Sequence, residues 1–392
     1  MKKMLLIFVG ILFVFTMSAC SEFMATEDNA ITEDELRELI VEVINEQSVD
    51  KDSYTQEELQ ALIESLLPEN TYETTYELDA FQDAVISMLA EVRDGVLGVS
   101  VTTADGGGTG SGVVYKREGN EYYMVTNEHV VEGATQITIV YEKNGLLFEI
   151  SSSFIELLGA DPVTDLAVLK FTSTESFSVI PLSDSYDLAL GEFVYAIGNP
   201  LGYEYYGTVT MGVVSGLARF VNDGTFDATL LQHDAAISPG NSGGALVNIN
   251  GELVGINNMK LVQDFVSGIN FAIPSNTVKR VVEDLEDDGI VTRPYLGIST
   301  YATVNVCGLD YGVCVDVQPL GAAEDAGLQN GDVIVGYKTQ DMSEFLDIYN
   351  FNDLREAILN SAVGDEVVLR YYRDGTIYES DPAVLNVHPD DR

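Results

Sequence analysis

The chain has 392 residues, 46% of them apolar, and its 63 acidic and 19 basic residues give a formal net charge of −44. This length allows two or three domains, and the apolar share allows a sizeable core. Recognition of nucleic acid or of anionic lipid headgroups needs clustered lysine and arginine, so the composition argues against both partners.

The N-terminus has the pattern of a targeting segment. Two lysines precede an apolar run over residues 4–17, which is too short for a comfortable membrane span. Residues 17–20 resemble a bacterial lipobox, with Met17 where leucine is usual. This predicts a signal peptide over residues 1–20 and a lipid anchor on Cys20. An ordinary signal peptide and an uncleaved anchor are the alternatives, and all three export the chain.

Residues 21–76 are predicted to form an acidic helical spacer. Residues 21–80 hold 18 acidic and two basic side chains. Sequences typical of capping boxes begin at Thr32 and at Thr55, and apolar residues at helical spacing follow each. Such apolar stripes must be buried. The segment either holds the protein away from a membrane or serves as a helical oligomerisation element, and the sequence leaves both open.

Residues 77–290 are predicted to form a mainly β domain. A helix at Ala80–Val92 is followed by many short β-type runs, which predict a pair of β-barrels rather than a parallel sheet. The runs include Val96–Val101, Gly112–Tyr115, Tyr122–Thr126, Ile137–Tyr141, Leu166–Phe171, Phe193–Gly198, Thr208–Leu217, Gly244–Asn248 and Leu253–Asn257. Ser275 is predicted to cap a last helix that Gly289 ends, with Val278, Val281, Val282 and Leu285 on its apolar face.

Residues 291–385 are predicted to form a smaller α+β domain, with a helix at Asn352–Ser361 and a strand at Glu366–Tyr372. Cys307 and Cys314 flank a turn rich in glycine. In an exported protein they form either a disulfide across that turn or two unpaired small side chains on neighbouring strands. No histidine or second cysteine pair lies near them in sequence, so no metal site is predicted.

A serine between glycines carries the clearest chemical signal. Ser242 lies in the run Gly240–Gly244, just before an apolar strand, and such a turn presents a hydroxyl nucleophile to a carbonyl. His129 supplies a base, and Asp165 supplies an orienting carboxylate, with Asp161 as the alternative. The order His, Asp, Ser along the chain is that of chymotrypsin-type proteases.

At these three segments the chain closely resembles the HtrA/Deg family of serine proteases, from near residue 80 to near residue 385. The resemblance implies a chymotrypsin-like double β-barrel over residues 77–290 and a PDZ domain over residues 291–385. It further implies a homotrimer, unfolded proteins as substrates, possible holding of clients as a chaperone, and no need of a cofactor or metal.

The same resemblance implies the remaining groups of the protease site. The N–H groups of Gly240 and Ser242 would form the oxyanion hole. Ala236 stands where proteases of this fold that cut after lysine or arginine carry an acid. A specificity pocket for small or medium apolar side chains is therefore expected from Ala236, Ile237, Ile256 and Asn257.

In the PDZ domain, a carboxylate-binding loop is expected at Tyr295, Leu296, Gly297 and Ile298. Its N–H groups would hold the C-terminus of a peptide, which adds as a strand beside residues 297–300. His233 stands where the family usually has threonine. It is expected to be a satisfied polar group near the site, and a weak modulator of pH dependence is the alternative.

The sequence as a whole predicts an exported serine endopeptidase tethered to the outer face of a bacterial cell membrane. It would degrade misfolded or damaged envelope proteins through an acyl-enzyme, regulated by C-terminal peptides at the PDZ domain. The alternative is a non-catalytic PDZ receptor or holdase chaperone on a protease fold.

Overall fold

The computed structural model describes residues 71–104, 106–200, 202–222, 227–258, 268–300 and 307–389. Residues 82–392 form one compact unit. Cys20 and the helices predicted after Thr32 and Thr55 lie outside the described residues. Among the described helices, none combines the length and the apolar content that a membrane crossing requires.

A helix and an antiparallel sheet come first. Helix α1 (Thr71–Val92) ends where predicted but begins before Ala80, and its last turns bury Met88 and Val92. Seven strands follow in the spatial order β5-β4-β1-β2-β3-β7-β6. They are β1 (Val96–Thr103), β2 (Gly106–Glu118), β3 (Glu121–Thr126), β4 (Ala134–Lys143), β5 (Leu146–Ile150), β6 (Ile155–Asp161) and β7 (Leu166–Thr172). A single helical turn, α2 (Glu128–Val131), lies between β3 and β4.

The next six strands close into a barrel in the order β10-β13-β12-β11-β8-β9. They are β8 (Phe193–Gly198), β9 (Thr208–Asn222), β10 (Asp227–His233), β11 (Ala245–Val247), β12 (Leu253–Asn258) and β13 (Asn270–Pro274). Helix α3 (Ser275–Asp287) follows β13. Every residue of β11 and β12 is buried, and each of these strands pairs with a neighbour on both sides within the barrel.

The largest core cluster lies between the first sheet and the barrel. Val113 and Val168 of the sheet pack in it with Ile197 of the barrel. The predicted apolar face of α3 covers the same cluster with Val278, Val281, Val282 and Leu285. This burial joins the two β units into one body, so residues that project from both of them can meet at their junction.

The C-terminal part is an α+β domain. Its sheet runs β15-β16-β17-β19-β20, with β18 and β21 paired at the side, and β14 pairs with β22. The elements are β14 (Pro294–Tyr295), β15 (Ile298–Thr300), β16 (Val313–Val317), α4 (Ala322–Asp325), β17 (Val333–Thr339), β18 (Leu346–Asp347), α5 (Phe351–Leu359), β19 (Glu366–Arg373), β20 (Thr376–Glu379), β21 (Ala383–Val384) and β22 (Asn386–Val387). Asn350 and Asp353 form a capping box at the start of α5. Cys307 and Cys314 are joined as a disulfide.

Two details differ from the sequence-based expectation. Strands β5, β6, β10 and β13 were not among the runs named from the sequence, although β5, β6 and β10 each form a hairpin with a strand adjacent in the chain. The prediction that Ser275 caps α3 is wrong. Ser275 is the first helical residue, Pro274 holds the cap position, and the Ser275 hydroxyl donates to the carbonyl of Ser183 at 2.9 Å.

Candidate active site

His129 and Asp165 meet at the end of the first sheet. His129 lies in α2, directly after β3, and Asp165 lies in the turn between β6 and β7. The Nδ1 of His129 donates to Oδ2 of Asp165 at 2.7 Å, and the backbone N–H of His129 donates to Oδ1 at 2.9 Å. With its Nδ1 proton held in this way, the imidazole keeps Nε2 as its acceptor nitrogen.

The surroundings of Asp165 fix its carboxylate. Its side chain is fully buried, and the backbone adopts a left-handed conformation with φ of 57°. The amide of Asn258 donates to Oδ2 at 2.8 Å, and the amide of Asn127 donates to the Asp165 carbonyl at 2.9 Å. A buried carboxylate with several donors stays in one orientation, because each lost hydrogen bond would leave a charge unsatisfied.

Asp161, the alternative partner of His129, is engaged elsewhere. Its carboxylate accepts from the backbone N–H of Thr164 at 2.9 Å and also from the Thr164 hydroxyl. Arg293, at the start of the C-terminal domain, pairs with the same oxygen at 2.5 Å, and both charged side chains are nearly buried. The structure therefore brings Asp165, and not Asp161, to His129.

Ser242 lies in a tight turn, and hydrogen bonds from Ser111 of the first sheet hold this turn in place. Gly240 and Gly243 have φ of 102° and 80°, a conformation that glycine adopts at little cost. The N–H of Ser111 donates to the Ser242 carbonyl at 2.8 Å, and the Ser111 hydroxyl donates to the Gly240 carbonyl at 2.8 Å. Sequence reasoning missed Ser111; the only signal for it was a serine between two glycines in mid-strand.

His129, Ser242 and Gly240 line one open cleft of about 420 Å³. The residues predicted for the specificity pocket are not part of its lining. Ile256 packs in the large core cluster, and the fully buried Asn257 donates its amide to the Ala245 carbonyl at 2.8 Å. Ala236 is exposed and Ile237 half-buried, on the segment that leads to Gly240.

His233 differs from the expectation of a satisfied polar group. It is fully buried at the end of β10, close to the backbone of Phe271 and Ala235. Neither ring nitrogen forms a well-aligned hydrogen bond with any described residue. Burial lowers the pKa of His233 to about 4, because the charged imidazolium is poorly solvated there.

Comparison with known proteins identifies the fold and the family. Residues 110–256 match the trypsin-like peptidase domain family, and residues 294–381 match the PDZ domain family. The serine protease Do-like HtrA of Lactococcus lactis strain IL1403 is 38% identical over 288 residues, which cover 68% of this chain and 68% of that protein. The chain belongs to the HtrA family of serine proteases. The mainly β, trypsin-like fold with one PDZ domain is thereby confirmed.

Other members of the HtrA family share less of their length with this chain. The serine proteases Do-like HtrB and HtrA of Bacillus subtilis strain 168 are 40% and 39% identical, each over 68% of this chain. The chain spans 59% and 61% of their length. The solved structure of the HtrA-type protease AlgW with tripeptide matches 79% of this chain and 97% of its own, with a TM-score of 0.62 and 30% identity.

The predicted carboxylate loop of this HtrA protein lies at the edge of the PDZ sheet. Gly297 has φ of 77°, and an added Cβ there would meet the Cα of Gly321 at 2.3 Å. The Leu296 carbonyl accepts from Ala323 at 2.7 Å, which anchors the loop to α4. Strand β15 pairs with β16 on one side, and the described sheet order leaves its other side at the edge.

Proposed function

We propose that this HtrA-family chain is an exported serine endopeptidase, with Ser242 as nucleophile, His129 as general base and Asp165 as its orienting partner. The observation that carries the proposal is the buried Asp165 carboxylate held 2.7 Å from Nδ1 of His129, with Ser242 in the same cleft. Among the described residues that line this cleft, His129 is the only one with an imidazole, and Asp165 orients it.

The residues can perform acyl transfer in two steps. Nε2 of His129 takes the Ser242 proton as the oxygen attacks the carbonyl, and it then protonates the leaving amine, which leaves an acyl-enzyme. Asp165 stabilises the imidazolium that forms in each step. Water attacks the ester in the second step, with the same base. The N–H groups of Gly240 and Ser242 would stabilise the oxyanion, and the loss of one such donor costs about 100- to 1,000-fold in rate.

Cleavage of casein by the purified chain, compared with Ser242→Ala, tests this activity. Members of a triad act as a unit, so the substitution is expected to reduce turnover by roughly a million-fold while the circular dichroism spectrum is retained. Casein cleavage that persists in Ser242→Ala would refute the assignment. A wild-type chain that binds casein without cleaving it would instead favour the holdase alternative.

We further propose that the enzyme cuts unfolded proteins after small or medium apolar residues. The support is that the segment from Ala236 to Gly240 carries no charged side chain to pair with lysine or arginine. Mass spectrometry of a digested denatured protein locates the cut sites, which should cluster after Val, Ile, Ala or Leu. A majority of cuts after lysine or arginine would contradict this specificity.

Regulation by peptides at the PDZ domain is the next part of the proposal. Helix α5 touches the barrel through Arg355, which donates to the Thr229 hydroxyl at 2.8 Å, and it touches α3 through the Leu359 carbonyl, which accepts from Arg280 at 2.7 Å. Thr229 lies on β10, the strand that leads through His233 toward Gly240. A ligand that favours one arrangement of the PDZ domain can therefore shift the population of competent sites.

The test uses peptides with a free or an amidated apolar C-terminus and a short reporter substrate. We expect the free peptide to raise turnover and the amidated one to do so less, because the loop N–H groups would hold a carboxylate. Gly297→Val should abolish the response, since its Cβ would collide with Gly321. An equal response in that variant would exclude this loop as the sensor.

The location and assembly of the protein complete the proposal. Cys20 would carry two acyl chains, which anchor a protein stably at about 0.8 kcal/mol per buried methylene. Cys20→Ser should release the chain or leave it unprocessed, and unchanged fractionation and migration would count against the anchor. The chain would act as a homotrimer, which analytical ultracentrifugation of a soluble form measures directly.

A further inference from the structure

The active-site cleft is not lined by any residue of the predicted specificity pocket. Its lining includes His129 and Ser242 but neither Ala236 nor Ile237. The remaining walls come from the hairpin of β1 and β2, from residues directly after His129, and from Pro239 and Gly240 before Ser242. The base must return its proton to the leaving amine, so the leaving half of a substrate lies beside His129. This cleft therefore faces the residues that follow the scissile bond.

The shape of the cleft suits a long side chain. Gly107 and Gly108 form part of its wall, where an added Cβ would lie 3.1 Å from the Val101 carbonyl or 3.3 Å from its Cγ2. Val101 and Val130 add apolar surface. Methylene groups of a lysine or arginine can lie along such a wall while the charged head stays hydrated.

Among the described residues of this wall, one side chain carries a negative charge. Glu132 follows α2, and its N–H donates to the Glu128 carbonyl at 2.9 Å, which fixes the backbone that carries it. Its side chain is exposed and forms no ion pair with any described residue. Among the described lining residues, Glu132 is the only one that carries a charge apart from the titratable His129.

We propose that this cleft is a subsite for lysine or arginine at the first or second position after the cut, with Glu132 as its specificity-determining residue. The proposal rests on the peptidase activity proposed above. An uncompensated carboxylate attracts a cation and repels an acidic residue at the same position. Because the pair is exposed, its effect is modest, about two- to fivefold in kcat/KM for lysine over alanine.

Matched quenched peptides test the subsite on the full chain. They share one apolar residue before the cut and differ only in lysine, alanine or glutamate at the two positions after it. We expect kcat/KM to fall in the order lysine, alanine, glutamate, and the spread to shrink when salt rises from about 50 mM to about 500 mM. In Glu132→Gln the three peptides should have similar kcat/KM, and in Glu132→Lys the ranking of their kcat/KM should be reversed. Glu344→Gln, which removes one exposed charge in the PDZ domain, should keep the wild-type ranking.

Equal rates for the three wild-type peptides, or the same order in Glu132→Gln as in wild type, would overturn the proposal. The labelled peptides are also titrated against Ser242→Ala by fluorescence anisotropy, so that binding is ranked without turnover. If wild type cleaves no peptide, the proposed activity fails. The subsite then stands or falls on whether Ser242→Ala prefers lysine and whether Glu132→Lys in that background reverses the preference.

Discussion

The ion pair between Asp161 and Arg293 should control the stability of the turn that carries Asp165. Asp161 begins the turn, and its carboxylate accepts from the backbone N–H and the hydroxyl of Thr164. Thr164 directly precedes Asp165, whose backbone is in the left-handed conformation. Arg293 approaches the same Asp161 oxygen from the start of the C-terminal domain. Arg293→Met removes the guanidinium while it keeps an apolar chain of similar length.

The expected magnitude follows from burial. The side chains of Asp161 and Arg293 are 8% and 11% exposed, so the substitution leaves a carboxylate with little access to water. Removing one partner of a buried ion pair in this way lowers the free energy of unfolding by about 3–5 kcal/mol. The two hydrogen bonds from Thr164 to Asp161 remain in the variant, so we expect a loss of stability at the lower end of this range, about 3 kcal/mol. A small displacement of Asp165 should also lower kcat, by roughly tenfold, since about 1 Å of misplacement costs about 100-fold.

Urea unfolding and peptide hydrolysis measure the two effects. Asp161→Asn combined with Arg293→Met removes both charges, and we expect the double variant to be more stable than the sum of the single losses by about 1–3 kcal/mol. Lys143→Met breaks an exposed pair with Glu175 and should cost less than about 1 kcal/mol. Additive losses in the double variant would refute the coupling, and unchanged kcat in Arg293→Met would refute the effect on Asp165.

Three further substitutions test the site. Asp165→Asn should lower kcat by about 10,000-fold in the peptidase assay with the fold intact, because an amide favours the wrong imidazole tautomer; a loss below tenfold would contradict this. His233 has its folded-state pKa lowered to about 4, so only the unfolded chain takes up its proton between about pH 6.5 and pH 4, and stability is lost as pH falls through that window. Urea unfolding at pH 7.5 and pH 4.5 should show about 2–3 kcal/mol less acid-induced loss for His233→Thr than for wild type, and equal losses would be the contrary result. Gly243→Ala should destabilise the chain by more than about 1 kcal/mol and abolish hydrolysis, since its Cβ would lie 2.1 Å from the Ser111 carbonyl at a φ of 80°; wild-type thermal stability would contradict it.

The local signals of this sequence were sufficient for the fold class, and they named the residues now proposed for the catalytic site. Short apolar runs between glycine-containing turns marked most of the strands. His129, Asp165 and the glycine-flanked Ser242 follow one another in the chain order of chymotrypsin-type proteases. Such signals are readable because each depends on neighbours only a few residues away.

The sequence named Asp165 with Asp161 as the alternative, and the tertiary structure decided between them and set what supports each group. Asp161 and Asp165 lie four residues apart, and their partners separate them: Thr164 and Arg293 engage Asp161, while His129 and Asn258 engage Asp165. Ser111 and Asn258 are likewise recruited from strands remote in sequence. Contacts of this kind arise when the first sheet, the barrel and the C-terminal domain pack together, because a side chain's hydrogen-bond partners are set by proximity in space and leave no periodic pattern in the sequence.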